Sequence, residues 1–401
     1  MLSVLSSCDI SELDKATGDP APTDSETDTQ ESESLGESDP SSATASEINT
    51  DVETESQSET KQESESETET KTEIKTEKQT EIQTETETET QCETNPDPQP
   101  TASNGIKYEI SADGEECMVM GIGSCTDKDI VIASEYQGVP VTKIGSVAFQ
   151  NADIESVYLP DTIIAIYPYA FYNCRSLKSI NIPDGVRAIM DNAFDYCKEL
   201  YYVENGVYYV DNWVVGYDKK APDFIDFRFR DGTVGIAHKA FAEGDFIGDL
   251  VIPDSVKHIG IAAFSNVRVI QGNVVIGDGV DRILPNTFYQ IEGVKSVTFG
   301  KNIKSIGDSA FYFCRDLEEI VIPEGITEIG VNAFYRCYNV KSVTLPSTLK
   351  TISQSAFSNI SALTTVNYTG SEEQWAEISI GDMNYLLKNA TIIYNYTPDE
   401  E

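Results

Sequence analysis

Eight cysteines and two histidines carry the most reactive side chains of this 401-residue chain, and their spacing limits what they can do. Cys174 and Cys197 lie 23 residues apart, as do Cys314 and Cys337, with no Cys-x-x-Cys pair and no histidine near either, so neither pair has zinc-ligand spacing. If the chain repeats at that interval, each pair sits on neighbouring turns roughly 5 Å apart, which admits either a disulfide or a row of small buried thiols. The thiol row is the expected form, because Cys is among the residue types most often buried. Cys117 and Cys125 could bridge in an exported protein, and Cys92 stands in a polar tract as a free thiol. His238 and His258 fall in no metal or catalytic motif, a surface role is expected for His258, and no nucleophile elbow, zincin helix or phosphate loop occurs. Adjacent carboxylates such as Glu318 and Glu319 have acid-base chemistry, but among 68 acidic residues a solvated pair is the commoner meaning. A non-catalytic protein with no metal and no cofactor is the expectation.

The elements that hold these residues follow from one period. Ala-Phe recurs at Phe149, Phe171, Phe194, Phe241, Phe264, Phe311, Phe334 and Phe357, with Thr287-Phe288 as the variant, and the successive Phe spacings are 22, 23, 47, 23, 24, 23, 23 and 23. The 47 is close to two periods, which places an expanded unit between Phe194 and Phe241. In the unit from Leu177 to Cys197, Ile180 and Ile182 flank Asn181 in a short strand, Pro183 ends it for want of an N–H, and Val186, Ile189 and Phe194 fill the interior. One such unit buries almost nothing, whereas stacked units share a continuous core. The fold class is therefore a β-rich solenoid with one short parallel strand per coil of about 23 residues. An N-terminal hairpin cap is expected from the strands flanking Ala112-Asp113-Gly114, and a short helical C-terminal cap from the capping box Ser371-x-x-Gln374, with Trp375 as its apolar plug.

The Ile-Pro, Ile-Gly, Ala-Phe, Cys rhythm resembles the BspA-like subfamily of bacterial leucine-rich repeat proteins. The entry segment Ile130 to Gly145 and the exit, Tyr368-Thr369-Gly370 through Trp375 and Ala390 to Asn395, resemble that family's first and last units. The resemblance spans residues 106 to 396. It implies a leucine-rich repeat solenoid over 106–370, with the expanded unit at 198–240 and a C-terminal cap and tail at 371–401. Gly277 and Gly300 in place of the strand-ending Pro, and Thr287 in place of Ala, are the local departures.

The formal net charge is −40, which argues against a phosphate-backbone partner, so no nucleic acid is expected. Residues 1–105 hold 28 acidic residues against five Lys and contain no aromatic residue, the first being Tyr108. Such a tract, alternating Thr and Glu through residues 84–90, has no apolar face and is expected to be disordered over 9–105. It reads as a stalk, with a calcium-absorbing or partner-binding acidic tail as the alternative. Leu5-Ser6-Ser7-Cys8 resembles the lipobox of bacterial lipoproteins, which implies a diacylglyceryl anchor on Cys8 and residues 1–8 as a signal remnant. Only seven residues precede Cys8, so the reading frame is expected to begin upstream. No run of about 18 apolar residues occurs, so a membrane would be met through Cys8 alone.

Two surfaces are candidates for binding. The outward residues of successive strands form a strip that includes Tyr158, Asn181, Thr298 and Thr344, uncharged to mildly acidic. The expanded unit carries an aromatic cluster that includes Tyr209 and Trp213 on a hairpin turned at Asp211-Asn212, a composition that stacks on sugars or anchors protein partners. By resemblance, the function is that of an extracellular, lipid-anchored adhesion protein whose partner is a host matrix protein, a host cell surface, other bacteria or a glycan. A cell-envelope scaffold that binds the bacterium's own wall polymers is the alternative, and a carbohydrate-active enzyme is a weaker third.

Overall fold

In a computed structural model the chain is described over residues 100–220, 223–270 and 272–398. The lipobox-like Cys8, Cys92 and the acidic tract up to residue 99 lie outside the described residues. The expected end of the stalk at 105 shifts toward the N-terminus. Ser103 N–H donates to the Val131 carbonyl at 2.9 Å and its hydroxyl accepts from the Val131 N–H at 3.1 Å, so residues 103–105 already belong to the first coil.

Each coil has three sides. The first carries parallel strands that continue in register from coil to coil, as in Glu319–Val321, Ser342–Leu345, Thr365–Tyr368 and Thr391–Ile393. The second carries another parallel ladder, as in Arg282–Ile283, Ser305–Ile306, Glu328–Ile329, Thr351–Ile352 and Ser379–Ile380. One strand per coil was the sequence-based expectation, and there are two. The second is only two residues long, too short for its alternation to stand out in the sequence. The third side is a turn built around Ala-Phe.

That turn explains the repeat consensus. The Phe149 N–H donates to the Ala170 carbonyl at 2.7 Å, and Phe171, Phe241, Phe311 and Phe334 repeat the bond to Ala193, Ala263, Ala333 and Ala356, each at 2.8 Å. The rings stack on one another along the interior: Phe149 on Phe171 at 5.2 Å, then Phe241, Phe264, Phe288, Phe311, Phe334 and Phe357 at 5.1 to 5.4 Å. The thiols of Cys174, Cys197, Cys314 and Cys337 donate to the carbonyls of Phe149, Phe171, Phe288 and Phe311, each on the preceding coil, at 2.9 to 3.3 Å. All six described cysteines are free and buried, so the repeat cysteines form a row of thiols, and Cys117 and Cys125 do not bridge.

Two residues of every turn are left-handed, those two before and two after the Phe. Asn192, Asn286 and Asn332 fill the first position in three coils, and Asn151, Asn173, Asn266 and Asn359 the second in four, because Asn tolerates positive φ. Gly300 serves a close approach instead: a Cβ there would meet the Gly277 carbonyl oxygen at 2.3 Å, which is why Pro gives way to Gly at both positions.

The caps close both ends. Lys107–Ile110 and Cys117–Gly121 form the expected antiparallel hairpin, and Cys117–Gly121 then pairs in parallel with Val139–Ile144. At the other end Glu372–Ala376 is a helix whose capping box is complete, the Ser371 hydroxyl accepting from the Gln374 N–H and the Gln374 side chain from the Ser371 N–H. Trp375 packs edge-on against the buried Tyr368 at 5.2 Å. The cap is more than one helix. A second helix, Tyr385–Asn389, and the strands Ser379–Ile380 and Thr391–Ile393 make a last coil that extends both sheets.

Val147 is a β-branched residue held at φ 57° and 51% exposed at the first left-handed position. Val147→Asn is expected to raise stability by about 1 kcal/mol in urea titration, because it relieves strain without removing a core contact. Thiol titration in native buffer should leave all six described cysteines unreacted, and denaturant should release them together.

Candidate functional site

The strand strip exists, but its members differ in accessibility. Val131 pairs with Tyr158 in one sheet, Val251 with Val275 and Thr298 in a second, and Val321 with Thr344, Asn367 and Ile393 in a third. Thr298 is exposed and Tyr158 half-buried. Thr344 is only 7% exposed and its hydroxyl accepts from the Asn367 amide at 3.5 Å, so it does not present to a ligand as expected. Asn181 is committed to structure: its Oδ1 accepts from the Leu159 N–H and its Nδ2 donates to the Leu159 carbonyl, both at 2.7 Å, which continues the ladder past the end of its short strand. Val321 and Ile393, 43% and 45% exposed, are apolar members of the strip.

Charge lies in a column beside the strip. Glu155 pairs with Lys178 at 2.7 Å, and Glu318 with Lys295 and Lys341 at 3.1 and 3.3 Å, so opposite signs alternate from coil to coil. Both lysines hold the Glu318 carboxyl below the usual range. Being solvated and paired, Glu318 lacks the raised pKa of a general acid. Among the described residues no group of three or more His, Cys, Asp or Glu could hold a metal ion, and no helix is long and apolar enough to cross a membrane.

The expanded unit is a three-stranded antiparallel meander, Tyr202–Glu204, Val207–Val210 and Trp213–Tyr217. Its second turn is the predicted Asp211-Asn212, with Asp211 at φ 53°. The first, Asn205-Gly206, has both residues left-handed, an Asn-Gly hairpin signal legible in the sequence. Tyr209 and Trp213 do not project from it. They are 1% and 3% exposed, because the strand Trp213–Tyr217 joins the solenoid, Trp213 and Val214 pairing in parallel with Gly235 and Ile236. Phe224, Phe227 and Phe229 are buried around Phe241, their centroids 5.6 to 5.8 Å from it, and so fill the interior where the regular Phe stack is interrupted. Most of the aromatic cluster is core. The residues left for solvent contact include Tyr202, which shares the Arg230 guanidinium with Tyr209 at 5.0 and 4.8 Å.

Both histidines are tied to this insert. His258 stacks on Trp213, with ring centroids 6.0 Å apart and 11° between planes, rather than standing free on the surface. His238 is buried, with its Nδ1 3.7 Å from Asp191. Burial pushes His238 down to about 4 despite Asp191, and burial likewise holds His258 at about 4 despite Asp281, with Arg187, Lys257 and Arg282 adding to the depression. Both rings are therefore neutral at physiological pH.

The profile of the BspA type leucine rich repeat region matches residues 139–213 and 234–364 in six copies, just over half of the chain. The chain belongs to that family. The gap in the match, residues 214–233, falls within the expanded unit. Among solved structures, a leucine-rich cell surface protein of Faecalibacterium prausnitzii is 24% identical over 71% of this chain and 98% of its own, with a TM-score of 0.26. The T. pallidum leucine rich repeat protein is 17% identical over 70% and 85%, with a TM-score of 0.24. The pneumococcal vaccine antigen PcpA is 19% identical over 75% and 88%, with a TM-score of 0.28. No curated protein matches.

The histidines give a pH dependence of definite sign. Unfolded imidazoles take up a proton near 6.5 and the folded ones only near 4, so the unfolded chain binds more protons in between. Their contribution to stability is complete above pH 6.5 and is lost as pH falls toward 4. His258→Phe keeps a ring on Trp213 and removes one titrating group. The drop in stability between about pH 7 and pH 5 should shrink by about 1 to 2 kcal/mol in that variant, measured by urea titration at each pH.

Proposed function

We propose that the protein is a non-catalytic bacterial cell-surface protein that mediates adhesion, with the first-side strand strip as its binding face. One observation carries this reading. Val251, Val275, Thr298, Val321, Asn367 and Ile393 project from parallel strands as an uncharged column on a chain of net charge −40, while the charged side chains pair in the neighbouring column. An uncharged, ordered strip of this kind loses little on desolvation, and stacked repeats extend it in one direction as solenoid binding faces do. The resemblance of Leu5 to Cys8 to a lipobox and the acidic tract that follows support display on a lipid anchor at Cys8 and a stalk. The partner classes are host matrix proteins, host cell surfaces, other bacteria and glycans.

Immobilised matrix proteins, mucin and purified wall fragments, probed with the full chain, test the proposal. Saturable binding to a host component is expected, weakened roughly tenfold or more by the double substitution Thr298→Arg and Val321→Arg, which alters two exposed positions and should leave thermal stability unchanged. Binding to wall fragments alone would replace adhesion with a scaffold role in the cell envelope.

A further inference from the structure

The expanded unit also opens a cleft on the turn side, away from the strand strip. The backbone ladder passes from Phe171 to Ala193 and resumes from Phe241 to Ala263, with the meander inserted between. The Ala237 N–H donates to the Val214 carbonyl at 2.8 Å, but the next rung, from His238, goes to Ile189 at 2.9 Å, so the strand Trp213–Tyr217 parts from the coil beyond Val214. The parting leaves a cavity of about 550 Å³ between the meander and the turns at 192–198 and 238–240. That is the size of a small-molecule site and suits one or two sugar rings.

Tyrosines line it with their positions fixed. The Tyr201 hydroxyl donates to the Phe194 carbonyl at 2.6 Å, and Tyr208 stacks on Tyr201 with centroids 4.8 Å apart and 6° between planes. The cross-strand partner of Tyr208 is Gly216, which has no side chain to cover it. At the rim Tyr196 is 54% exposed and held at φ 66°, in the turn position where other coils place Asn151, Asn173, Asn266 and Asn359. Its ring meets Tyr172 edge-on at 5.2 Å, and Phe313 holds the equivalent position at φ 60° in another coil, so the turn accepts an aromatic there and Tyr172 anchors the ring at the cleft rim.

The polar groups complete the chemistry. Asp195 is half-buried, and burial is what raises its carboxyl, with no donor offsetting it. Lys219 pairs with Glu243 at 2.8 Å and Lys239 with Asp191 at 2.5 Å, His238 is neutral, and the remaining lining charges, Lys198 and Asp195, are opposite. A cleft of aromatic faces, an acceptor lacking donors and no net charge does not attract an ion. It matches a ligand with flat C–H faces ringed by hydroxyl donors.

We propose that this cleft binds a neutral glycan, with Tyr196 and Tyr208 stacking on the sugar and Asp195 accepting from its hydroxyls. The site stands apart from the strip, so its failure would leave the adhesion reading intact and the failure of the strip would leave the cleft intact. Saturation-transfer NMR on the full chain tests it, with millimolar N-acetylglucosamine, galactose, mannose, lactose and cellobiose as neutral probes and glucuronic acid and glucosamine as charged comparators. Transfer to at least one neutral sugar is expected, weakened roughly tenfold by Tyr196→Asn and by Asp195→Asn. Tyr196→Asn places in this turn the residue that four other coils hold there, and because it also removes the ring contact with Tyr172, the thermal stability of the variant is measured alongside to separate loss of binding from loss of fold. No transfer to any neutral sugar, transfer to the charged comparators alone, or neutral binding that survives both substitutions would each overturn the proposal.

Discussion

The backbone bond from the turn Phe to the carbonyl of the residue before the next coil's Phe, an alanine in six coils and Thr287 in a seventh, governs the stacking of this solenoid. It fixes the distance between coils, and that distance lets the Phe rings stack at 5.1 to 5.4 Å and lets a cysteine thiol reach the carbonyl of the same Phe on the preceding coil. In Phe149 all three meet: its N–H bonds to Ala170, its carbonyl accepts from Cys174 and its ring stacks on Phe171. A small residue is favoured opposite because the turns approach closely, with Thr287 as the variant, and Cys174, Cys197, Cys314 and Cys337 suit their place because the side chain is small, apolar and still a weak donor. The left-handed residues on either side of the Phe make the chain turn sharply enough to keep that geometry.

Where the ladder is interrupted, the molecule does something different. The insert between Phe194 and Phe241 replaces the missing rungs with a meander strand on the second side and a cluster of Phe224, Phe227 and Phe229 inside. The same replacement buries His238, stacks the half-buried His258 on Trp213 and leaves a cleft between the meander and the turns at 192–198 and 238–240. The regular coils thus repeat one surface along the stack, and the irregular one adds an open cleft. Repeat proteins gain extended surfaces from repetition, whereas a concave pocket needs a break in it.

Much of this was legible in the sequence, because a period of about 23 residues with fixed Ala-Phe and Cys positions constrains the stack coil by coil. The hairpin at Ala112-Asp113-Gly114 and the capping box at Ser371 were legible too, since local turn and cap chemistry decides both. The second strand ladder was not, because two residues such as Ser305–Ile306 carry no alternation to read. Tyr209 and Trp213 misled for a different reason. An aromatic-rich insert has the same composition whether it projects or packs, and only the parallel pairing of Trp213 with Gly235 decides between them. The cleft residues Tyr196 and Asp195 carry only a weak positional signal, because the turn position of Tyr196 holds Asn in four coils but Glu243, Gln290, Phe313 or Arg336 in others.

Residue-resolved hydrogen exchange measures the turn ladder directly. The amides of Phe149, Phe171, Phe264, Phe288, Phe311 and Phe334 should be among the slowest to exchange, and the amides of Tyr196 and Lys198, where the regular stack is interrupted, markedly faster. Equal protection across Phe194 to Phe241, or fast exchange at the turn Phe amides, would contradict the account.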